Sequence, residues 1–218
     1  MSLPQHLSYV SSTLKGASET LTPKQRHIAR DMFDHYRTQW MRLIPEAPEN
    51  VAHTVQATVD DQTREMLATS KHGADVKCRK GCSACCHLSI DIFPQEAVLL
   101  WKWAEYIGLP IDQARLERQA AATGLDAWGQ LPPAGTRCVF LGDDGACQVY
   151  EHRPSSCRKY FVKTDPDLCD MHKHPGAEVG IVFSFEAEII HSAALTAFGS
   201  GPMAQMLLQH QPSPKVDP

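Results

Sequence analysis

Four cysteines fall within nine positions of this sequence, and no other stretch constrains the fold as strongly. They are Cys78, Cys82, Cys85 and Cys86. In a helix, residues at i, i+4, i+7 and i+8 share one face, whereas a loop folded around a metal brings the same sulfurs together equally well. Clustered thiolates suit zinc, copper(I) or an iron–sulfur cluster. The stretch therefore predicts a metal centre around which the rest of the chain is arranged.

A second set of four cysteines follows later in the chain: Cys138, Cys147, Cys157 and Cys169. Tetrahedral zinc and a single [4Fe–4S] cluster each take four ligands. Eight sulfurs therefore suit two four-ligand sites, or one site with spare thiols. The spacing along the sequence does not decide how the eight are divided.

Charge and composition limit the classes of partner. The chain has 21 basic and 25 acidic residues, a net charge of −4, and so lacks the basic excess typical of proteins that bind nucleic acid or anionic membranes. Residues 1–10 do not resemble a secretory signal, and no apolar run approaches the about 20 residues that cross a bilayer. We therefore expect a cytoplasmic chain with reduced thiols, no nucleic-acid or membrane partner, and an unidentified protein or redox partner.

The residues before the cysteines predict a helical hairpin over 22–70. Thr22 is suited to cap the first helix and Pro23 to occupy its first position. Two apolar stripes at helical spacing predict the buried faces. They comprise Ile28, Met32, Tyr36, Trp40 and Leu43 in the first helix, and Val51, Val55, Val59 and Met66 in the second, which begins near Asn50. Residues 1–21 are polar and predict a flexible arm.

The residues after Cys86 predict further helices and one β-hairpin. Helices are indicated from Pro94 to Ile107, from Ile111 to Trp128, after Ser184 and after Pro202. Apolar runs on either side of an Asp-Gly turn predict a hairpin over 138–150, with Cys138 and Cys147 on opposite arms. Residues 211–218 have too little apolar content to fold, which predicts a disordered tail.

Together these patterns predict a mainly α fold. It is a single compact helical domain over 22–210 with a small β-hairpin, organised around a cysteine-ligated metal centre in a core spanning residues 77–170.

The order of the cysteines resembles a known bacterial family, the YkgJ-type cysteine-cluster family of zinc- or iron-chelating domains. The resemblance rests on three motifs and covers about a third of the chain. They are Cys78-x3-Cys82-x2-Cys85-Cys86, Cys138-x-Phe140-Leu141, and Cys147-x2-Tyr150-x2-Arg153-Pro154-x2-Cys157-Arg158. The resemblance implies that these cysteines chelate metal, and Cys169 is added to the predicted ligands although it lies outside the strongest motif.

From the cysteines and the resemblance we expect a protein that holds an iron–sulfur cluster, with [4Fe–4S] preferred, or iron, and that could be redox active. The alternative is a structural zinc within a helical scaffold for protein interactions. Arg153 and Arg158 flank Cys157 and are expected to support the metal ligands by donating to thiolates and offsetting negative charge, although surface ion pairs would explain them equally.

Three features leave the chemistry open. His87, or His172 together with His174, could complete a mixed sulfur–nitrogen site. The spacing of Cys78, Cys82 and Cys85 is also used by radical-SAM enzymes, but the predicted helices do not form their β/α barrel. Neither a phosphate-binding loop nor a Gly-rich cofactor turn is visible, and no catalytic residue is indicated.

Overall fold

The fold is described from a computed structural model that covers residue 19, residues 21–79 and residues 81–213. Within these residues the chain is mainly helical, which confirms the mainly α character predicted from the sequence. The α-helices are α1 (Pro23–Arg42), α2 (Pro48–Thr69), α3 (Pro94–Tyr106), α4 (Gln113–Ala121), α5 (Gly124–Gly129), α6 (Pro133–Thr136), α7 (Ser155–Arg158), α8 (Phe185–Phe198) and α9 (Met203–Gln209).

Two small antiparallel sheets complete the regular structure. Strand β1 (Asp91–Ile92) pairs with β4 (Gly201–Pro202), and β2 (Phe161–Val162) pairs with β3 (Ile181–Val182). Short 3-10 helices occupy Gly73–Asp75, Ala84–His87, Tyr150–His152 and Pro166–Cys169.

The predicted start of the first helix is confirmed in detail. The Thr22 hydroxyl accepts from the Gln25 amide at 3.3 Å, and the Gln25 side chain accepts from the Thr22 amide at 2.9 Å. This reciprocal pair satisfies amide groups that the first turn leaves without helical partners. Helix α2 begins at Pro48, two residues before the predicted Asn50, because proline is suited to the first helical position.

Helix α8 is the centre of the first hydrophobic core. Every residue from Ala187 to Leu195 is buried, and α1 and α2 pack against it. The Trp40 indole also donates to the Ile190 carbonyl at 3.3 Å. The predicted stripe on α1 was wrong at Ile28, which is 52% exposed, whereas Phe33 is only 1% exposed because it faces this core.

A second core packs α3, α4 and α9 against residues 139–149. Its members include Leu100, Leu116, Phe140 and Leu207. Buried Gln119 on α4 donates to the carbonyls of Gly135 and Arg137 at 2.7 and 2.8 Å, which fixes the path of the chain just before Cys138.

Two predicted elements need correction. The helix predicted over 111–128 is divided into α4 and α5, because Gly124, the first residue of α5, adopts φ +83°, a conformation that continues no right-handed helix. The hairpin predicted over 138–150 is reduced to a turn with one antiparallel bridge between Leu141 and Cys147.

Other predictions fall partly outside the described residues. The predicted arm lies outside them except for residues 19 and 21, and the predicted tail except for residues 211–213. Among the helices that the structure describes, none has the length and apolar character needed to cross a membrane.

One buried ion pair joins the segment after Cys157 to the first core. The ammonium group of Lys159 lies 2.8 Å from the Glu188 carboxylate on α8, with side chains only 9% and 3% exposed. The neighbouring His191 is also buried, and burial followed by the charge of Lys159 holds its pKa well below the usual value. His191 is therefore neutral at neutral pH.

We predict that Lys159→Met destabilises the fold strongly, because the Glu188 carboxylate would remain buried without this ammonium group. Breaking a buried pair costs about 3–5 kcal/mol of the free energy of unfolding. Lys102→Met is the matched control, because Lys102 pairs with Glu49 on the surface at 2.5 Å and exposed pairs contribute about 0–1 kcal/mol. Denaturant titration measures both, and equal losses would contradict a special role for the buried pair.

Candidate metal centre

All eight cysteines are free thiols, and they come from four segments of the chain. The first segment approaches strand β2, where the Lys77 amide donates to the Val162 carbonyl at 2.8 Å and the Val162 amide donates to the Cys78 sulfur at 3.3 Å. Gly81 then adopts φ +85°, which permits the tight turn between Cys78 and Cys82. Cys85 and Cys86 follow within a 3-10 helix, so the loop arrangement considered from the sequence is the observed one.

The second segment carries Cys138 and Cys147. The Cys138 amide donates to the Cys86 carbonyl at 2.8 Å, which brings the two cysteine motifs together although 51 residues separate them. The turn between Cys138 and Cys147 is held by Arg137, whose guanidinium donates to the carbonyls of Leu141 and Gly142 at 3.0 and 2.6 Å.

The third segment is α7, which carries Cys157 and is tied to the helical core on both sides of that cysteine. The Ser155 amide and hydroxyl both donate to one oxygen of buried Glu96, at 2.6 and 2.7 Å. The Arg158 guanidinium donates to Asp60 on α2 at 2.6 Å. These contacts hold the neighbours of Cys157 in place, while Cys157 itself is exposed.

The fourth segment is the 3-10 helix Pro166–Cys169, whose first turn is capped by the Asp165 carboxylate. It contacts the 3-10 helix that carries Cys85 and Cys86. Cys169, whose inclusion among the ligands rested on the weakest sequence evidence, is the one buried cysteine of the eight and lies beside the first motif.

The charges of the cysteines act on one another across the four segments. Cys169 interacts with Cys78, Cys82 and Cys85. Cys157 interacts with Cys85, Cys138 and Cys147. The segments that carry these cysteines therefore lie near one another in the fold.

Burial and hydrogen bonding set the pKa of each thiol. Burial raises the pKa of Cys138 to about 12 and that of Cys169 to about 11. A hydrogen bond with Cys86 lowers the pKa of Cys85 to about 7. Cys157 combines an accessible side chain with a pKa raised by desolvation, so protein surrounds this sulfur while one side stays open to solvent.

Arg153 and Arg158, the two arginines predicted to support the metal ligands, contact different groups. Arg153 stacks on the Tyr150 ring, with its guanidinium carbon 4.2 Å from the ring centre, and its positive charge lowers the pKa of Cys85. Its buried Nε has no hydrogen-bond partner among the described residues. Arg158 instead directs its hydrogen bonds to Asp60, Gln56 and the backbone carbonyls of residues 151 and 153.

The histidines make polar contacts of their own. The buried hydroxyl of Thr136 lies 3.1 Å from Nδ1 of His87 and 2.7 Å from Nε2 of His172. His174 forms an ion pair with Asp167 at 2.8 Å. No group of three or more His, Cys, Asp and Glu side chains among the described residues is already placed to hold a metal ion.

Residues 77–174 match the model of the CxxCxxCC family, whose description is "Putative zinc- or iron-chelating domain". This stretch is therefore similar to the domains of that family. The match confirms the resemblance to a cysteine-cluster family and extends it to Cys169 and the histidines that follow. No curated protein and no solved structure matches the chain.

Sequence reasoning did not identify Glu96 as part of the surroundings of the cysteines. Glu96 reads as an ordinary polar residue in the first turn of α3, yet it is fully buried and binds a residue 59 positions later. The one sequence signal for its burial was the position of this carboxylate beside the apolar residues of α3, and that position does not specify a partner.

We predict that Glu96 makes the stability of the fold depend on pH. Burial raises its pKa above the ordinary value of 4.5, although hydrogen bonds from Ser155 partly oppose the shift. A carboxyl whose pKa is raised on folding stabilises the folded state below its unfolded pKa, and this contribution is lost as the pH rises through the folded pKa. Glu96→Gln, which cannot ionise, should therefore become more stable relative to the wild type as the pH rises from 4.5.

The measurement is the free energy of unfolding of both proteins across that range. Glu117→Gln is the matched control, because it makes the same chemical change on the exposed face of α4. A constant difference between Glu96→Gln and the wild type at every pH would contradict the burial argument.

Proposed function

We propose that the clustered cysteines bind an iron–sulfur cluster or iron, and that the bound centre is redox active. The carrying observation is that segments bearing the free thiols adjoin one another, through the hydrogen bond from the Cys138 amide to the Cys86 carbonyl and the contact between the 3-10 helices Ala84–His87 and Pro166–Cys169. Cysteine thiolates are the ligands that hold iron–sulfur clusters, and the family description names iron or zinc chelation.

Arg153 supports an anionic centre. Its charge acts on Cys85, Cys147 and Cys157, which are sulfurs from three different segments. A thiolate-ligated centre carries net negative charge, and a nearby guanidinium offsets that charge and donates hydrogen bonds to sulfur. The buried Nε without a described partner is suited to this second role.

The accessible sulfurs support exchange of electrons or metal with a partner. Cys85 and Cys157 are both exposed, so a centre held by them would lie at the protein surface. The net charge of −4 favours a protein or small-molecule partner over nucleic acid or an anionic membrane. Eight unpaired thiols are also what the reducing cytoplasm preserves, which supports a cytoplasmic location.

Structural zinc is the second candidate, and the local structure favours it in one respect. Residues 137–184 contain only short helices and two-residue strands, so a metal joining their cysteines would supply much of their stability. In that case the helices α1, α2 and α8 would form a scaffold for protein interactions.

Anaerobic purification of the full chain, followed by elemental analysis, sulfide analysis and visible absorption, tests the proposal. Iron with acid-labile sulfide and a broad visible band supports the iron–sulfur proposal. Colourless protein with bound zinc supports the structural role instead. Protein that takes up neither metal, even when both are supplied under reducing conditions, would contradict metal binding altogether.

We predict that Arg153→Ala weakens metal retention. Loss of a residue that supports metal ligands typically lowers metal affinity by about 10–100-fold, and for an iron centre the loss of positive charge should also lower the reduction potential. The rate of metal loss to a chelator measures the first effect. Arg64→Ala, which removes an exposed guanidinium from α2, is the control, and equal rates for both folded variants would contradict the assignment.

A further inference from the structure

The stretch of residues 165–177, which carries Cys169, is tied to the rest of the described chain by one hydrogen bond. It consists of the 3-10 helix Pro166–Cys169 followed by turns. Its other described hydrogen bonds and ion pairs join residues within the stretch. The exception is the bond between Nε2 of His172 and the Thr136 hydroxyl, at 2.7 Å. The placement of this stretch therefore depends on Thr136.

The second core holds the Thr136 hydroxyl in a fixed position. Thr136 is only 1% exposed and ends α6, two residues before Cys138. Buried Gln119 on α4 donates to the carbonyls on both sides of it, those of Gly135 and Arg137. The hydroxyl is therefore a rigid point to which less regular segments are attached.

The same Thr136 hydroxyl also contacts the first cysteine segment. It lies 3.1 Å from Nδ1 of His87, the residue after Cys86, and 3.2 Å from the Pro133 carbonyl oxygen. A hydroxyl has one hydrogen to donate and two lone pairs that accept. Because a carbonyl only accepts, the hydroxyl donates to Pro133, and the imidazoles of His87 and His172 each donate an N–H to the hydroxyl. One buried group thus joins three segments that carry cysteines.

We propose that Thr136 is a positioning residue of the metal centre, whose hydroxyl holds the Cys169 stretch against the 3-10 helix Ala84–His87 and so keeps the Cys169 thiol beside the other ligands. This inference rests on the proposed metal binding and adds to it a residue that binds no metal itself. The two 3-10 helices contact each other, and the rings of His87 and His172 meet edge to face with centroids 6.1 Å apart. The hydroxyl bonds both rings, so it fixes this contact.

The test combines hydrogen–deuterium exchange with metal retention, both measured on the full-length chain under reducing conditions. Thr136→Val keeps the shape of the side chain and removes the hydroxyl, whereas Thr136→Ser keeps the hydroxyl. Thr63→Val is the matched control. Thr63 on α2 is also buried, but its hydroxyl has no hydrogen-bond partner among the described residues.

Thr136→Val should speed amide exchange in residues 165–177 by about 5–30-fold, the factor that corresponds to the loss of a buried hydrogen bond, while exchange in α8 keeps its wild-type rate. It should also speed the loss of reconstituted zinc or iron to a chelator by about 10-fold, the lower end of the range for residues that support metal ligands. Thr136→Ser should restore both rates, and Thr63→Val should match the wild type in both.

The outcomes that overturn the inference differ from those that overturn the proposed function. Unchanged exchange in residues 165–177 of folded Thr136→Val would show that the hydroxyl does not hold this stretch. Faster exchange with wild-type metal retention would overturn its assignment to the metal centre. A wild-type chain that takes up neither zinc nor iron would contradict the proposed function, and that assignment with it. If Thr136→Val does not fold, His172→Phe removes the same bond from its other end, and the same outcomes decide.

Discussion

The anchoring of α7 to the helical core is the constraint on which the arrangement of the cysteines depends. Four residues that surround Cys157 bind groups on other elements: Ser155 binds Glu96, Ser156 binds the Asp91 carbonyl, Arg158 binds Asp60 and Lys159 binds Glu188. Cys157 is the one residue of 155–159 for which no such side-chain bond is described, and it is exposed. Buried polar contacts of this kind are costly to leave incomplete, so they specify one position for the turn.

This anchoring links two parts of the molecule with different sources of stability. Helices α1, α2, α3 and α8 enclose a conventional apolar core. The cysteine segments have little regular structure, and their placement relies on backbone contacts such as that between Cys138 and Cys86. Metal binding would complete this second part, because ligands gathered from separate segments couple binding to folding. Helix α2, which precedes the stretch that matches the family model, then serves to hold α7 through Asp60 and Gln56.

The sequence correctly predicted those features that depend on residues close together in the chain. The cap at Thr22, the helix after Ser184 and the metal-binding character of the cysteines all follow from residues close together in the chain. The hairpin was overestimated because an Asp-Gly turn predicts strand pairing, whereas here Arg137 binds the carbonyls of the turn. The partners of Glu96 and Lys159 were not predictable, since each contact joins residues far apart whose meeting depends on the packing of α3 and α8.

The surroundings of the cysteines show the same limit of local reasoning. The fold places the 3-10 helix of Cys169 against that of Cys85 and Cys86, and binds the Cys138 amide to the Cys86 carbonyl, although these segments are far apart in the chain. Arg158 likewise reads as a partner of the adjacent Cys157, yet its guanidinium reaches Asp60 on α2. In both cases the contact depends on the packing of distant segments, which the local sequence does not specify.

X-ray absorption at the metal edge, recorded on the anaerobically purified full chain, tests the central claim most directly. The account predicts a first coordination shell made of sulfur, at about 2.3 Å if the metal is zinc. An iron–sulfur centre would add a second shell of neighbouring iron atoms. A first shell composed of nitrogen or oxygen would contradict the account, because the metal would then be bound by groups other than the eight cysteines.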